Sequence, residues 1–413
     1  MVWIKRWLAG VVAGSSVLMV GAAVSAHENS PRVPEVKQVK ERLLISDSES
    51  GDVVVVDDGA VGERLSTPPA PLSLARSDDG RTAVAMRGRN TDRDHATFID
   101  TGYDEKTGKA RRAFVARTWI AQSPGGVTNG RMPEVAGRIG ISEEGAGSIT
   151  FVDPAGLSGL GDTDATTLRL AGPDHYAFVV GRDGPGEPVL AVGHLRRGGV
   201  ALLDPTIGRQ TAWVGGCPVL HGGTTDLTGR RAIFGCADGL LSVDLVDHTN
   251  TKTPYPSQVR AANFHAGPEG IRWGTTEGAQ SSIQRIATTD RQPTIEPVDL
   301  AVNGERRTQL RTTVATDGSQ LIVLTHQGWL QIRDGRTGAL SREVRVDRPY
   351  PLDYHEHTEK AEMPDLATGG GVVHVSLPRS GRLLTVDLDS GKVVRRLDLG
   401  GMPTRIIRLS TTP

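Results

Sequence analysis

From Leu43 onward the apolar positions come in short bursts separated by Gly, Asp and Pro, the pattern of brief strands joined by tight turns. One unit recurs: an apolar strand, a turn containing Gly, and a second strand ending at or near Asp. It is clearest in Leu43-Leu-Ile-Ser-Asp-Ser-Glu-Ser-Gly-Asp-Val-Val-Val-Val-Asp57. It returns with variation at 83–100, 139–153, 189–204, 232–244, 271–290, 321–334 and 372–387, eight copies in all. The terminal aspartates stand about forty to fifty-five residues apart, the period of a four-stranded propeller blade rather than of a helical solenoid.

Between these hairpins lies a second element, a short segment often opened by Pro and followed by a Gly turn. It appears as Pro71 to Gly80, Pro133 to Gly137, Pro173 to Val180, Cys217 to His221, Asn263 to Gly267, Thr308 to Gly318, Pro364 to Gly369 and Pro403 to Arg408. In a blade these segments are the innermost strands, lining a central channel. The last has no hairpin after it, and the first hairpin has no inner strand before it. The C-terminal strand therefore completes the blade begun at the N-terminus, closing the ring and removing exposed sheet edges. The pattern predicts an all-β fold, an eight-bladed β-propeller spanning 42–413 as a single domain. Seven blades with one insertion is the alternative, because Tyr103 to Thr128 does not divide cleanly into strands.

Composition agrees with a turn-rich fold: 51 Gly and 24 Pro in 413 residues argue against a helix bundle. A formal charge of −1 with no dense basic run excludes a phosphate-tracking, nucleic-acid-binding surface. The N-terminus places Lys5 and Arg6 before an uncharged, largely apolar stretch that ends in small residues at Val24-Ser25-Ala26. This is the layout of a signal peptide over 1–26. The mature chain is expected in the periplasm or outside the cell, with an N-terminal extension over 27–41, no later membrane span and a monomeric state. Export suggests that the two cysteines, Cys217 and Cys236, are joined. If Asp226 to Gly229 is a hairpin turn, they face each other across neighbouring strands.

No nucleophile elbow, zincin helix or phosphate loop is present, so catalysis is not expected. Superposing the inner-strand segments instead brings Glu134, Asp174, His175, His221, His265, Arg311, Asp365 and Arg405 to the channel. Three imidazoles and three carboxylates there make a donor set suited to zinc; a water-filled polar channel is the alternative. His355 and His357 alternate in an acidic loop, and the aspartates that end strands read as turn caps.

Cys217-Pro-Val-Leu-His221-Gly, followed by Phe234-Gly-Cys236-Ala-Asp-Gly239, together with Pro173-Asp-His175 and the closing run from Val386, resembles the AztD-type periplasmic zinc metallochaperones. The resemblance covers most of the mature chain, and its specific part is the paired cysteine stretch. It implies a secreted propeller that hands zinc to the solute-binding protein of a zinc ABC transporter. By position it marks His175 and His221 as ligands and the two cysteines as a disulfide. The family's histidine- and aspartate-rich loop has no counterpart, since Tyr103 to Thr128 holds no His, and Pro-linked positions that carry His in the family hold Glu134 and Asp174 here. A metal-independent secreted scaffold for protein or envelope contacts is the second functional expectation.

Overall fold

The computed structural model describes residues 36–67, 73–87, 94–120, 132–157, 165–184, 186–257, 259–276, 282–289, 292–352 and 363–412. It is an eight-bladed β-propeller of four-stranded antiparallel sheets. Blades are numbered here by their innermost strands: blade 1, Ser73–Arg76; blade 2, Glu134–Val135; blade 3, Tyr176–Asp183; blade 4, His221–Thr225; blade 5, Asn263–Ala266; blade 6, Gln309–Val314; blade 7, Leu366–Gly369; blade 8, Pro403–Ser410. Among the described residues no helix is long and apolar enough to cross a membrane.

Blade 8 closes the ring as expected. Its inner strand is the C-terminal Pro403–Ser410, and its other three strands, Glu41–Asp47, Asp52–Asp57 and Ala60–Ser66, come from the opposite end of the chain. The closing register runs from Glu41 opposite Ser410 to Asp47 opposite Pro403. The segment that resisted division is an excursion within blade 1, whose outermost strand is Phe114–Ile120. Before that strand, Lys109–Ala110 pairs with Lys37–Gln38, and Tyr103 Oη donates to the carbonyls of Val39 and Lys40. It is a strap over the closing seam, so the blade count stays at eight; 121–131 lies outside the described residues.

The second and third strands of each blade are buried on both faces because neighbouring sheets pack against each other. Leu43 to Asp47 and Val53 to Asp57 are accordingly buried throughout rather than alternating. Outer strands such as Val393–Asp398 are largely exposed. Among the described residues the core divides into eight clusters, each between two adjacent blades, such as Val179, Val200, Phe234 and Val243 between blades 3 and 4. The strand-ending aspartates cap turns: Asp204, Asp244, Asp334 and Asp387 each accept backbone N–H groups two or three residues on.

Closure is reinforced by a polar network between blades 7 and 8. Glu41 accepts from Arg408 Nε at 2.6 Å and faces His374 Nε2 at 3.1 Å. Burial alone would raise the Glu41 carboxyl, but the His374 and Arg408 contacts outweigh it and hold its pKa at about 2 against an ordinary 4.5. A depressed carboxylate stabilises the fold fully above its unfolded value and loses that contribution as pH falls from about 4.5 toward 2. Urea titrations of Glu41→Gln should therefore show a shallower loss of stability across that window than the parent; equal slopes would show that Glu41 is not linked to folding.

Candidate metal centre

His175 immediately precedes the inner strand of blade 3, and His221 is the first residue of the inner strand of blade 4. Their rings stack with centroids 5.0 Å apart, and the two Nε2 atoms face each other at 3.2 Å. Each ring is gripped through its other nitrogen. His175 Nδ1 lies 2.7 Å from Oε1 of Glu144, in the hairpin turn of blade 2, and His221 Nδ1 lies 3.2 Å from the carbonyl of Ala262, just before the inner strand of blade 5. An ionised carboxylate and a carbonyl only accept, so both Nδ1 atoms carry hydrogen and both Nε2 atoms present their lone-pair side to the gap. A contact between them is favourable only with a proton, or a cation, between them.

Local chemistry puts His221 there. The ladder to the neighbouring strand shifts register between His221 and Gly223, a bulge that re-aims the side chain. Gly222 adopts φ of 67°, and a Cβ there would lie 1.8 Å from the Ala262 carbonyl that orients the His221 ring. Upstream, Val219 is held at φ of 49°, a strained conformation for a β-branched residue, with its carbonyl accepting from Arg260 Nη1 at 2.7 Å.

Cys217 and Cys236 are bonded, with Cα atoms 4.9 Å apart. The Asp226 to Gly229 turn forms as expected, with Gly229 N donating to Asp226 O. The geometry differs from a bridge between facing strands. Cys236 ends the second strand of blade 4, but Cys217 lies in the loop before His221, because the inner strand begins only at His221. The disulfide thus staples the approach to His221 rather than the hairpin.

The three carboxylates among the remaining candidates, and Arg311, are engaged with backbone. Asp174 is buried, and its carboxylate accepts from the amides of His175 at 2.8 Å, Arg196 at 2.9 Å and Arg197 at 3.4 Å, with His194 Nδ1 at 3.5 Å. Glu134 accepts from the Asp78 amide of blade 1 at 2.7 Å, and burial pushes its pKa up. Asp365 accepts from the Ile406 amide of blade 8 at 3.0 Å. Arg311 donates to Pro364 O at 2.9 Å, and the Arg405 amide donates to Ser46 Oγ at 3.1 Å. His265 lies on the inner strand of blade 5, opposite Trp273. His355 and His357 lie outside the described residues. Among the described residues no group of three or more His, Cys, Asp or Glu side chains is close enough to hold a metal together.

The structure therefore brings together His175 and His221 and adds Glu144. Sequence reasoning missed Glu144 because it sits on a turn of the preceding blade, with no spacing that links it to either imidazole.

No protein-family model matches the chain. A search of curated proteins finds the zinc chaperone AztD of Citrobacter koseri, 24% identical over 396 residues that cover 89% of this chain and 86% of that protein. This chain is a homologue of it. Among solved structures, apo AztD from Citrobacter koseri superposes with a TM-score of 0.71 at 20% identity, over 90% of this chain and 98% of that one. A second Citrobacter koseri AztD structure gives 0.70 at 19% identity with the same coverage. The dihydro-heme d1 dehydrogenase NirN gives 0.60 at 14% identity, over 90% and 75%. At these identities the structural matches establish the propeller fold.

Proposed function

We propose that this protein is an exported zinc carrier that holds the ion on His175 and His221 and passes it to the solute-binding protein of a zinc ABC transporter. One observation carries the reading: two imidazole Nε2 atoms converge at 3.2 Å while both Nδ1 atoms are held by acceptors. Two nitrogens each bound about 2.0–2.1 Å from a tetrahedral zinc stand about 3.3 Å apart. The pair is therefore spaced for one ion with little movement, and acceptors behind each ring are the usual support of zinc-bound histidine. Homology to a zinc chaperone supports the same choice of cargo.

The chemistry suits carriage. Zinc takes the place of the proton between the rings, so binding releases protons and weakens as pH falls. Two imidazoles leave coordination positions for further donors, His265 on the adjacent strand being the nearest candidate in fold order, and for ligands from an accepting protein. Glu134, Asp174 and Asp365 are instead committed to amide hydrogen bonds that tie turns and blades together. Residues 1–26 direct export and are removed near Ala26, leaving the propeller, whose first blade strand begins at Glu41 rather than at 42, as the working unit.

Calorimetric titration of chelator-stripped 27–413 with zinc tests the reading. Binding at one site, micromolar or tighter and lost in a His175→Ala, His221→Ala double variant, is the expected result. Its heat should change with the ionisation enthalpy of the buffer. A wild-type chain that binds no zinc overturns the proposal and returns the propeller to a metal-independent scaffold.

A further inference from the structure

We infer that Glu144 is the positioning residue of the zinc pair, the group that sets which nitrogen His175 offers to the ion; this rests on the zinc-carrier reading above. The two rings are oriented by different means. His221 is aimed by a main-chain carbonyl, Ala262 O, backed by the bulge at Gly222. His175 has its backbone pinned, through its amide to Asp174 Oδ1 and its carbonyl to Leu195 N, but its ring is turned by a side chain. That side chain is Glu144, 2.7 Å from Nδ1.

A carboxylate accepts and does not donate, so Glu144 keeps hydrogen on Nδ1 and turns Nε2 toward His221 Nε2. Without it, nothing in this contact prevents hydrogen from residing on Nε2, the atom that must be bare to bind zinc. Glu144 is not a third ligand in this arrangement: its carboxylate meets His175 Nδ1, on the side of the ring away from the Nε2 that faces His221. A carboxylate behind a ligating imidazole also makes that imidazole a stronger donor.

The backbone is built to bring the two together. The turn that carries Glu144 closes with Gly147 N donating to Glu144 O, and Gly147 has φ of 62°. A Cβ on Gly147 would lie 2.5 Å from the carbonyl carbon of Gly172 and 2.7 Å from its oxygen. Gly172 belongs to the loop that leads into His175. Only glycine at 147 lets the blade 2 turn approach that loop so closely, and the approach places a carboxylate from one blade against an imidazole of the next.

The experiment uses the mature chain carrying Glu144→Ala, Glu144→Gln or Gly147→Ala, with two readouts. Zinc affinity should fall about 10- to 100-fold in Glu144→Ala, the range for loss of an outer-shell partner. Glu144→Gln should fall less, since its amide oxygen still accepts from Nδ1. Gly147→Ala should weaken binding while leaving the carboxylate in the chain. Nitrogen NMR of histidine-labelled, zinc-free protein should show His175 Nδ1 protonated in the parent and unprotonated in Glu144→Ala, a change that a purely structural role would not produce. Glu144→Ala with zinc affinity within about twofold of the parent, or a parent His175 with a bare Nδ1, overturns the inference. If the parent binds no zinc, the carrier reading falls, and the state of Nδ1 still decides what Glu144 does.

Discussion

Replacing Arg42 with Ala should lower the free energy of unfolding by about 3–5 kcal/mol, the usual result of removing one partner from a buried ion pair. Arg42 is almost completely buried on the second strand of the closing blade. Its Nε and Nη2 reach the two carboxylate oxygens of Asp57 at 2.7 and 2.8 Å, and Nη1 donates to the carbonyls of Thr101 at 2.5 Å and Arg111 at 2.8 Å. One side chain thus joins two strands of blade 8 and stitches that blade to blade 1. Burial alone would raise the Asp57 carboxyl, yet the hydrogen bonds of Arg42 and Lys37 hold it below its ordinary value.

The alanine variant leaves Asp57 with only the exposed Lys37 as a charged partner and takes a donor from two carbonyls. Equilibrium urea unfolding reads the outcome as a lower midpoint at unchanged slope. A loss below about 1 kcal/mol, the range of a surface pair, would show that Arg42 does not hold the seam. Because a pair of matched apolar residues avoids the uncompensated charge, Arg42→Met with Asp57→Leu should recover part of the loss.

Removing the disulfide by Cys217→Ala and Cys236→Ala should cost about 3 kcal/mol in the chain-entropy account, for a loop closed at a sequence separation of 19. Both sulfurs are buried, so alanine is the proper replacement: serine would add unpaired hydroxyls to an apolar cluster that contains Leu220 and Phe234. The loss should also reach the proposed zinc site. The bridge holds the loop in which Val219 is strained and from which His221 emerges, and freeing that loop lets Val219 relax. Zinc affinity should therefore fall together with stability in the double variant. Unchanged affinity in a destabilised but folded protein would show that the bulge at Gly222 alone positions His221.

The repeat was legible because each blade spends its chain the same way: an inner strand, a Gly turn, two apolar strands and an Asp-capped turn. The Asp cap is a local device, since its carboxylate bonds amides only two or three residues away, and local devices leave a spacing in the sequence. The excursion after Tyr103 was not legible, because its short strand Lys109–Ala110 pairs with Lys37–Gln38 from outside the blade's own pattern.

At the candidate site the same contrast applies. His175 and His221 stand out because both sit where an inner strand begins, next to Pro or Cys-Pro signals. Glu134, Asp174 and Asp365 occupy matching positions and looked like further ligands. The structure shows their carboxylates on backbone amides, since turns and the unpaired edge of an inner strand leave N–H groups that must find acceptors. Polar residues near the starts of the inner strands were thus identifiable from sequence, but which of them meet each other and which bind backbone amides was not.

What the sequence by itself determined was the architecture: repeated strand patterns set eight sheets, and the unpaired strands at the two ends required closure. What only the tertiary structure decided was which polar groups meet. The 3.2 Å approach of His175 to His221, and the placement of Glu144 behind one ring and Ala262 O behind the other, involve four successive blades. Such contacts depend on how neighbouring sheets are packed and rotated about the channel, a geometry that strand periodicity, being a property of each sheet alone, does not encode.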